Sequence, residues 1–167
     1  MEPLRPKKQL GQHFLADENM AQRIVAALEA PATGPVFEIG PGMGVLTKYL
    51  LGRFDRVEAI EYDLDAVQYL NAAFGDRNLH VHHVDFLKWD FGQHLSGPTS
   101  FIGNLPYNIS SPIFFRFLEN LPLFHDGVFM VQKEVADRVC APESAPAKQK
   151  CILSVLVNHY FETRMLF

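Results

Sequence analysis

Asn104, Leu105, Pro106 and Tyr107 follow an apolar run, and their types suit one demanding reaction, alkylation of an aromatic amine. The lone pair of such an amine is delocalised into its ring, so a site must counter this by accepting hydrogen bonds from the amine hydrogens. The Asn104 side-chain oxygen and a carbonyl beside Pro106 are suitable acceptors. Tyr107 can stack on the ring and hold its nitrogen in line with an incoming methyl group, so positioning supplies much of the rate. No strong base is needed if the proton leaves after the methyl arrives. An ordinary Asn-Pro turn is the competing reading of the same residues.

A second set points to a nucleoside. Gly40, Gly42 and Gly44 follow another apolar run, and glycines there let the chain turn tightly and a ligand approach without meeting a Cβ atom. Glu61 lies 21 residues after Gly40, near the offset at which a carboxylate meets ribose hydroxyls; its alternative is a surface acid. Asp85 suits an exocyclic adenine amine, or simply caps a turn. The segment GPGMG lacks the third glycine of GxGxxG, and there is no GxxxxGK[ST] to make a P-loop. What remains is a nucleoside-bearing ligand whose middle need not be a pyrophosphate, a description that S-adenosylmethionine fits.

Positioning these residues requires strands. Asp17 predicts a cap on a helix with Met20, Ile24, Val25 and Leu28 on one face, stopping near Pro31. Strands are then expected at Val36 to Ile39, Arg56 to Ile60, Leu79 to Val84, Thr99 to Ile102 and Val128 to Val131. Helices are expected at Val45 to Leu51, Leu64 to Phe74, Ser111 to Leu118 with Pro112 in the first turn, Glu134 to Cys140, and Cys151 to Tyr160. Ala141 to Lys150 reads as a mobile loop and Met165 to Phe167 as a strand beginning. The alternation argues for parallel βαβ units, an α/β doubly wound sheet. Ligands in such sheets bind beyond the carboxyl ends of the strands, where strand order reverses. Gly40 to Gly44, Glu61, Asp85 and Asn104 to Tyr107 all fall at strand ends.

Composition excludes several classes. The 167 residues are 48% hydrophobic and 20% charged, with 14 Phe, 5 Tyr and 1 Trp, enough apolar content to close a core. No apolar run approaches membrane-span length and the start lacks a signal-peptide segment, so the expectation is a cytoplasmic protein with no membrane association. The net charge is −4, and residues 54–90 alone carry −5, leaving the rest at +1. Binding nucleic acid by charge alone would call for a basic chain; here basic residues gather only locally, at Arg5, Lys7 and Lys8 and at Lys133, Arg138, Lys148 and Lys150. Cys140 and Cys151 show no CxxC spacing and read as ordinary thiols. His80, His82 and His83 alternate on one expected strand and read as solvated or core-edge groups, so no metal is expected.

QHFL at Gln12 to Leu15, EIGPGMGVLT at Glu38 to Thr47, Glu61, Asp85, NLPYNISSP at Asn104 to Pro112 and VQKEVADR at Val131 to Arg138 together resemble the ribosomal RNA adenine N6-dimethyltransferases of the KsgA/RsmA type. The resemblance covers essentially the whole chain. Its NLPYNIS block is highly specific, whereas the glycine motif alone would match many methyltransferases. The resemblance implies a Rossmann-like domain of the class I S-adenosylmethionine-dependent methyltransferases at 17–167 and a cofactor-closing arm at 1–16. It implies that His13 and Leu15 contact the cofactor while Phe14 anchors the arm. Gly40 would then meet the methionine part, Glu61 the ribose, Asp85 the adenine, and Asn104 both cofactor and target amine, with Tyr107 stacked on a flipped base. Flipping is needed because a stacked N6 amine cannot reach the methyl group. The implied acceptor is a pair of adjacent adenines in the 3′-terminal hairpin loop of small-subunit (16S) ribosomal RNA, within an immature 30S particle. The implied product is S-adenosylhomocysteine, and a monomer is the default.

In the family the sheet continues past the position of Phe167, with an F-x-P-P-P-x-V segment and a small helical domain that contacts RNA. A truncated catalytic domain is therefore expected. KQKC at Lys148 to Cys151 departs from the tyrosine and glycine common there, a change expected to leave cofactor binding unaffected. Two alternatives stay open: an RNA-binding ribosome-assembly factor with incidental catalysis, and a large-subunit ribosomal RNA or small-molecule amine as acceptor.

Overall fold

The computed structural model describes residues 15, 17–75, 77–142, 144–146 and 151–167. Helix α1 (Glu18–Ala27) begins where the Asp17 carboxylate accepts the Met20 N–H at 3.1 Å. Strand β1 (Pro35–Ile39), the short α2 (Thr47–Leu50), β2 (Arg56–Glu61), α3 (Leu64–Phe74) and β3 (Leu79–His83) form the first winding. Helix α4 (Phe91–His94), β4 (Thr99–Asn104), α5 (Ser110–Glu119) and β5 (Phe124–Met130) form the second, followed by α6 (Lys133–Val139) and α7 (Ile152–Tyr160).

The five strands are all parallel, in the order β3-β2-β1-β4-β5. The chain winds outward from β1 through β2 to β3, then returns to β1's other edge at β4. A cleft must open beyond the strand ends where the two windings diverge. Ile39 lies opposite both Ile60 and Gly103, which brings the Gly40 turn, Glu61 and Asn104 to one level. This is the Rossmann-like arrangement that the sequence predicts.

Strand alternation sends side chains to two different layers. On one face Val36, Val57, Ala59 and Ile102 pack under α1, α2 and α3 with Leu28, Leu50 and Leu70. On the other face Phe37, Ile60 and Phe101 meet Phe86, Trp89, Phe91 and Phe117.

Several boundaries differ from the sequence reading. Helix α2 is confined to Thr47–Leu50, because the glycine turn before it runs on through Leu46. Strand β5 starts at Phe124, four residues before Val128; Asp126 and Gly127 break the apolar run, but the Asp126 carboxylate accepts the Glu29 N–H at 2.8 Å. A 3-10 turn at Phe86–Lys88 and helix α4 were not expected, each being short and capped by an aspartate, Asp85 and Asp90. Met165 to Phe167 do not form the expected strand. Arg23 of α1 sits over the Phe167 ring at 4.0 Å, and Arg164 reaches Glu29 at 3.4 Å, so the tail lies along α1 rather than beside a strand. Most of the expected 1–16 arm, and Lys148 to Lys150 of the expected loop, lie outside the described residues.

Candidate active site

A cavity of about 320 Å³ opens at the carboxyl ends of β1 to β4, and Leu15, Gly40, Glu61, Asp85, Asn104 and Pro106 all line it. Six of the predicted site residues, drawn from segments up to 91 residues apart, thus share one wall-bounded space. Tyr107, 38% exposed, is absent from the lining and stands next to it in the chain, between Pro106 and Asn108, which both line it. His13 lies outside the described residues.

The glycine turn owes its path to backbone that other residues rarely adopt. Gly40, Gly42 and Gly44 all have positive φ, at 63°, 54° and 74°. A Cβ at Gly40 would meet nothing within 4 Å, so that glycine is a bare backbone edge on the cavity. A Cβ at Gly44 would come within 2.6 Å of the Phe74 ring, so here glycine lets α3 pack against the turn.

Glu61, 5% exposed, is held at both oxygens: one accepts the Gly42 N–H at 3.1 Å, the other the Asp63 N–H at 2.8 Å. Burial pushes its carboxyl above the ordinary range, and these N–H donors oppose the push. The acid therefore also fixes the glycine turn. Asp85 accepts the Leu87 N–H at 3.0 Å and caps the 3-10 turn while standing half-buried on the cavity wall. Asp85 thus caps the turn and lines the cavity at once.

On the opposite wall, Gly103 precedes Asn104 because a Cβ there would lie 2.6 Å from the Ile39 carbonyl oxygen. The Leu105 N–H donates to the Met130 carbonyl at 2.9 Å and its side chain is buried, so the segment is anchored just past Asn104. The Ile109 N–H then donates to the Pro106 carbonyl at 3.2 Å and the Ser110 hydroxyl to the Tyr107 carbonyl at 3.4 Å, turning the chain into α5.

Sequence reasoning gave no role to Glu38, Tyr62, Leu87, Asn108 or Ile109, all of which line the cavity. Glu38 is 1% exposed and accepts the Thr47 hydroxyl at 2.5 Å. Burial raises its pKa to about 8, the Thr47 hydrogen bonds oppose the rise and the Glu61 charge adds to it. Its signal was its place immediately before the glycine turn, as that of Tyr62 was its place after Glu61.

The histidine strand is a core-edge feature: His82 Nε2 lies 2.6 Å from Glu58, and His83 Nε2 3.2 Å from the Tyr62 carbonyl. Among the described residues no group of three or more His, Cys, Asp or Glu could hold a metal, and no helix is long and apolar enough to cross a membrane.

Comparison with known proteins agrees with this geometry. The family model described as ribosomal RNA adenine dimethylase matches residues 4–167. Ribosomal RNA small subunit methyltransferase A of Parabacteroides distasonis is 44% identical over 167 residues, 100% of this chain and 62% of its own length; that of Thiobacillus denitrificans is 41% identical over 96% of this chain and 62% of its own. The chain thus spans less than two thirds of the length of these relatives. Among solved structures, a dimethyladenosine transferase from Plasmodium falciparum superposes with a TM-score of 0.74 at 30% identity, over 87% of this chain and 52% of that one. The 23S rRNA methyltransferase ErmE gives 0.69 at 31% identity, over 75% and 50%. Fold, cavity and sequence therefore converge, and the chain belongs to the ribosomal RNA adenine dimethylase family.

Proposed function

We propose that this chain is the catalytic domain of an S-adenosylmethionine-dependent ribosomal RNA adenine N6-dimethyltransferase acting on two adjacent adenines of small-subunit ribosomal RNA. The observation that carries this reading is the single cavity bounded by the Gly40 turn, Glu61 and Asp85 on one side and Asn104 and Pro106 on the other. The residues present fit the cofactor: a bare glycine edge for its methionine part, a buried carboxylate on the cavity lining for its ribose, and a second acid on the wall for its adenine amine. Bound there, S-adenosylmethionine supplies a methyl group on positively charged sulfur and leaves as S-adenosylhomocysteine.

The chain's own residues do the rest. Asn104 Oδ1 and a main-chain carbonyl beside Pro106 accept hydrogen bonds from the adenine amine and return electron density to its nitrogen. Tyr107, exposed at the mouth, stacks on a base flipped out of its loop. Leu15 closes the cavity from the N-terminal side, and 1–16, with His13, acts as the arm that covers the cofactor while 17–167 forms the methyltransferase domain. The names of the relatives support a small-subunit RNA acceptor, and we extend this to an immature 30S particle in the cytoplasm and to a monomeric enzyme. A 23S acceptor is the second reading, favoured by the similarity to ErmE.

Titration calorimetry with S-adenosylmethionine tests the cofactor reading. Glu61→Ala is expected to weaken binding roughly 10- to 100-fold, the worth of a charged hydrogen-bonding group. Mass spectrometry of unmethylated small- and large-subunit RNA incubated with the chain and cofactor then tests the acceptor. Dimethyladenosine in the small subunit supports the first reading, and in the large subunit the second. Unaltered binding by Glu61→Ala would refute the assigned ribose contact.

A further inference from the structure

Among the described residues the cavity wall carries acids and no base: Glu38, Glu61 and Asp85 line it, and no lysine, arginine or histidine does. Lys48, which follows Thr47 in the chain, pairs with Glu18 of α1 at 2.5 Å.

The two buried glutamates are served unequally. Glu61 has a backbone N–H on each oxygen, an arrangement that favours the charged form. Glu38 has Thr47 alone, through its hydroxyl and its backbone N–H, and faces the Glu61 charge from β2. Asp85 lies on the same wall from the end of β3, and Asn104, an uncharged group, from the end of β4. Burial in a space of low dielectric disfavours the charged form of Glu38, and the Glu61 charge adds to this, so the less well served carboxyl keeps a proton until a positive charge arrives.

We propose that Glu38 is the charge-sensing residue of this cavity: it holds a proton in the absence of a cationic ligand, and releases it to solvent when a sulfonium enters. The site thereby favours the charged methyl donor over the neutral thioether left after transfer. This rests on the reading of the cavity as an S-adenosylmethionine site. Glu38 acts on the ligand through charge and through the position of Thr47, at the start of α2, and is given no part in bond making.

Titration calorimetry with S-adenosylmethionine and with S-adenosylhomocysteine, at pH 7 in buffers of different ionisation enthalpy, counts the protons released per ligand bound. The ligands' own α-amino groups titrate at about pH 8, so the informative quantity is the difference between wild type and Glu38→Gln. Wild type is expected to release close to one proton more than the variant on binding the sulfonium, and fewer on binding the thioether. Its affinity for the sulfonium should rise roughly tenfold, relative to the variant, between pH 6 and pH 7. The preference for donor over product should fall severalfold in Glu38→Gln. Should that variant fail to fold, Thr47→Val serves instead: with the hydroxyl gone, Glu38 holds its proton more tightly and the release moves to higher pH. Equal proton release by wild type and Glu38→Gln, or an unmoved release profile in Thr47→Val, overturns the proposal and leaves the cofactor site standing. Failure of wild type to bind either ligand overturns both.

Discussion

The two faces of the sheet are filled with different material. Toward α1, α2 and α3 the core is aliphatic, with Val36, Leu50, Val57 and Ile102 at its centre; toward α4 and α5 it is a continuous set of aromatic rings around Phe101. The cavity takes one wall from each face. The aliphatic side supports the glycine turn and Glu61, where backbone geometry matters and small, branched side chains let a helix approach closely. The aromatic side supports Asn104 and Pro106, a short rigid segment seated on buried Leu105. Each face also buries a glutamate, and the two behave oppositely. Glu38, beside Thr47, is pushed up to about 8 by burial. Glu58 is pushed up by burial too, but hydrogen bonds from His82 and Arg56 and their charges outweigh this and leave its carboxyl below the ordinary range.

Truncation at the centre of the aromatic face should do the most damage. The Phe101 ring lies within 6.5 Å, centroid to centroid, of six others: Phe37, Phe86, Trp89, Phe91, Phe117 and Phe124. Phe101→Ala is expected to cost about 3–5 kcal/mol in urea unfolding, above the value for Leu50→Ala on the aliphatic face, with the denaturant slope unchanged. A smaller cost than that of Leu50→Ala would mean that the rings repack freely.

The two glutamates give opposite pH dependences. The folded chain keeps the Glu38 proton that the unfolded chain loses near its ordinary value of 4.5, so stability falls as pH rises from about 4.5 to about 8. For Glu58, with its carboxyl lowered, the contribution is present above 4.5 and is lost as pH falls through the folded value. Urea midpoints from pH 3 to 9 should show Glu38→Gln losing the decline between about pH 4.5 and about 8, on the order of a few kcal/mol. Glu58→Gln should lose part of the acid limb.

Two glycines of one turn separate packing from conformation. Gly44→Ala meets both a positive φ and the Phe74 ring, and should cost about 1–3 kcal/mol. Gly40→Ala meets the positive φ alone, so its loss of stability should be smaller while its methyl group intrudes on the cavity and weakens S-adenosylmethionine binding. Tyr107→Ala, at a partly exposed position, should cost less stability than Phe101→Ala. It is expected to leave cofactor affinity unchanged while reducing methyl transfer; a matching loss of cofactor affinity would place Tyr107 on the wrong side of the cavity.

The site was more legible than the elements around it. Apolar runs such as Val36 to Ile39 could be read as strands because parallel strands are buried on both faces, and their polar ends then marked the cavity. Glu38 escaped because its burial follows from strand parity plus the Thr47 contact, which no local spacing announces. Strand β5 was read too short because the side chain of Asp126, polar in sequence, is satisfied by a backbone N–H nearly a hundred residues away. The 3-10 turn and α4 were missed for the opposite reason: each spans only about one turn, too short for a repeating pattern to reveal it, and each depends on its capping aspartate.

Trp89 is the chain's one tryptophan. It is 2% exposed, stacks on His94 with ring centroids 5.1 Å apart, and its indole N–H has no hydrogen-bond partner among the described residues. An indole shielded in this way emits to the blue of one in water, so intrinsic fluorescence is a built-in reporter of the aromatic face alone. Loosening of the aliphatic layer beneath the glycine turn would pass unseen by that signal, and a gap between fluorescence and circular dichroism midpoints would reveal the two layers coming apart separately.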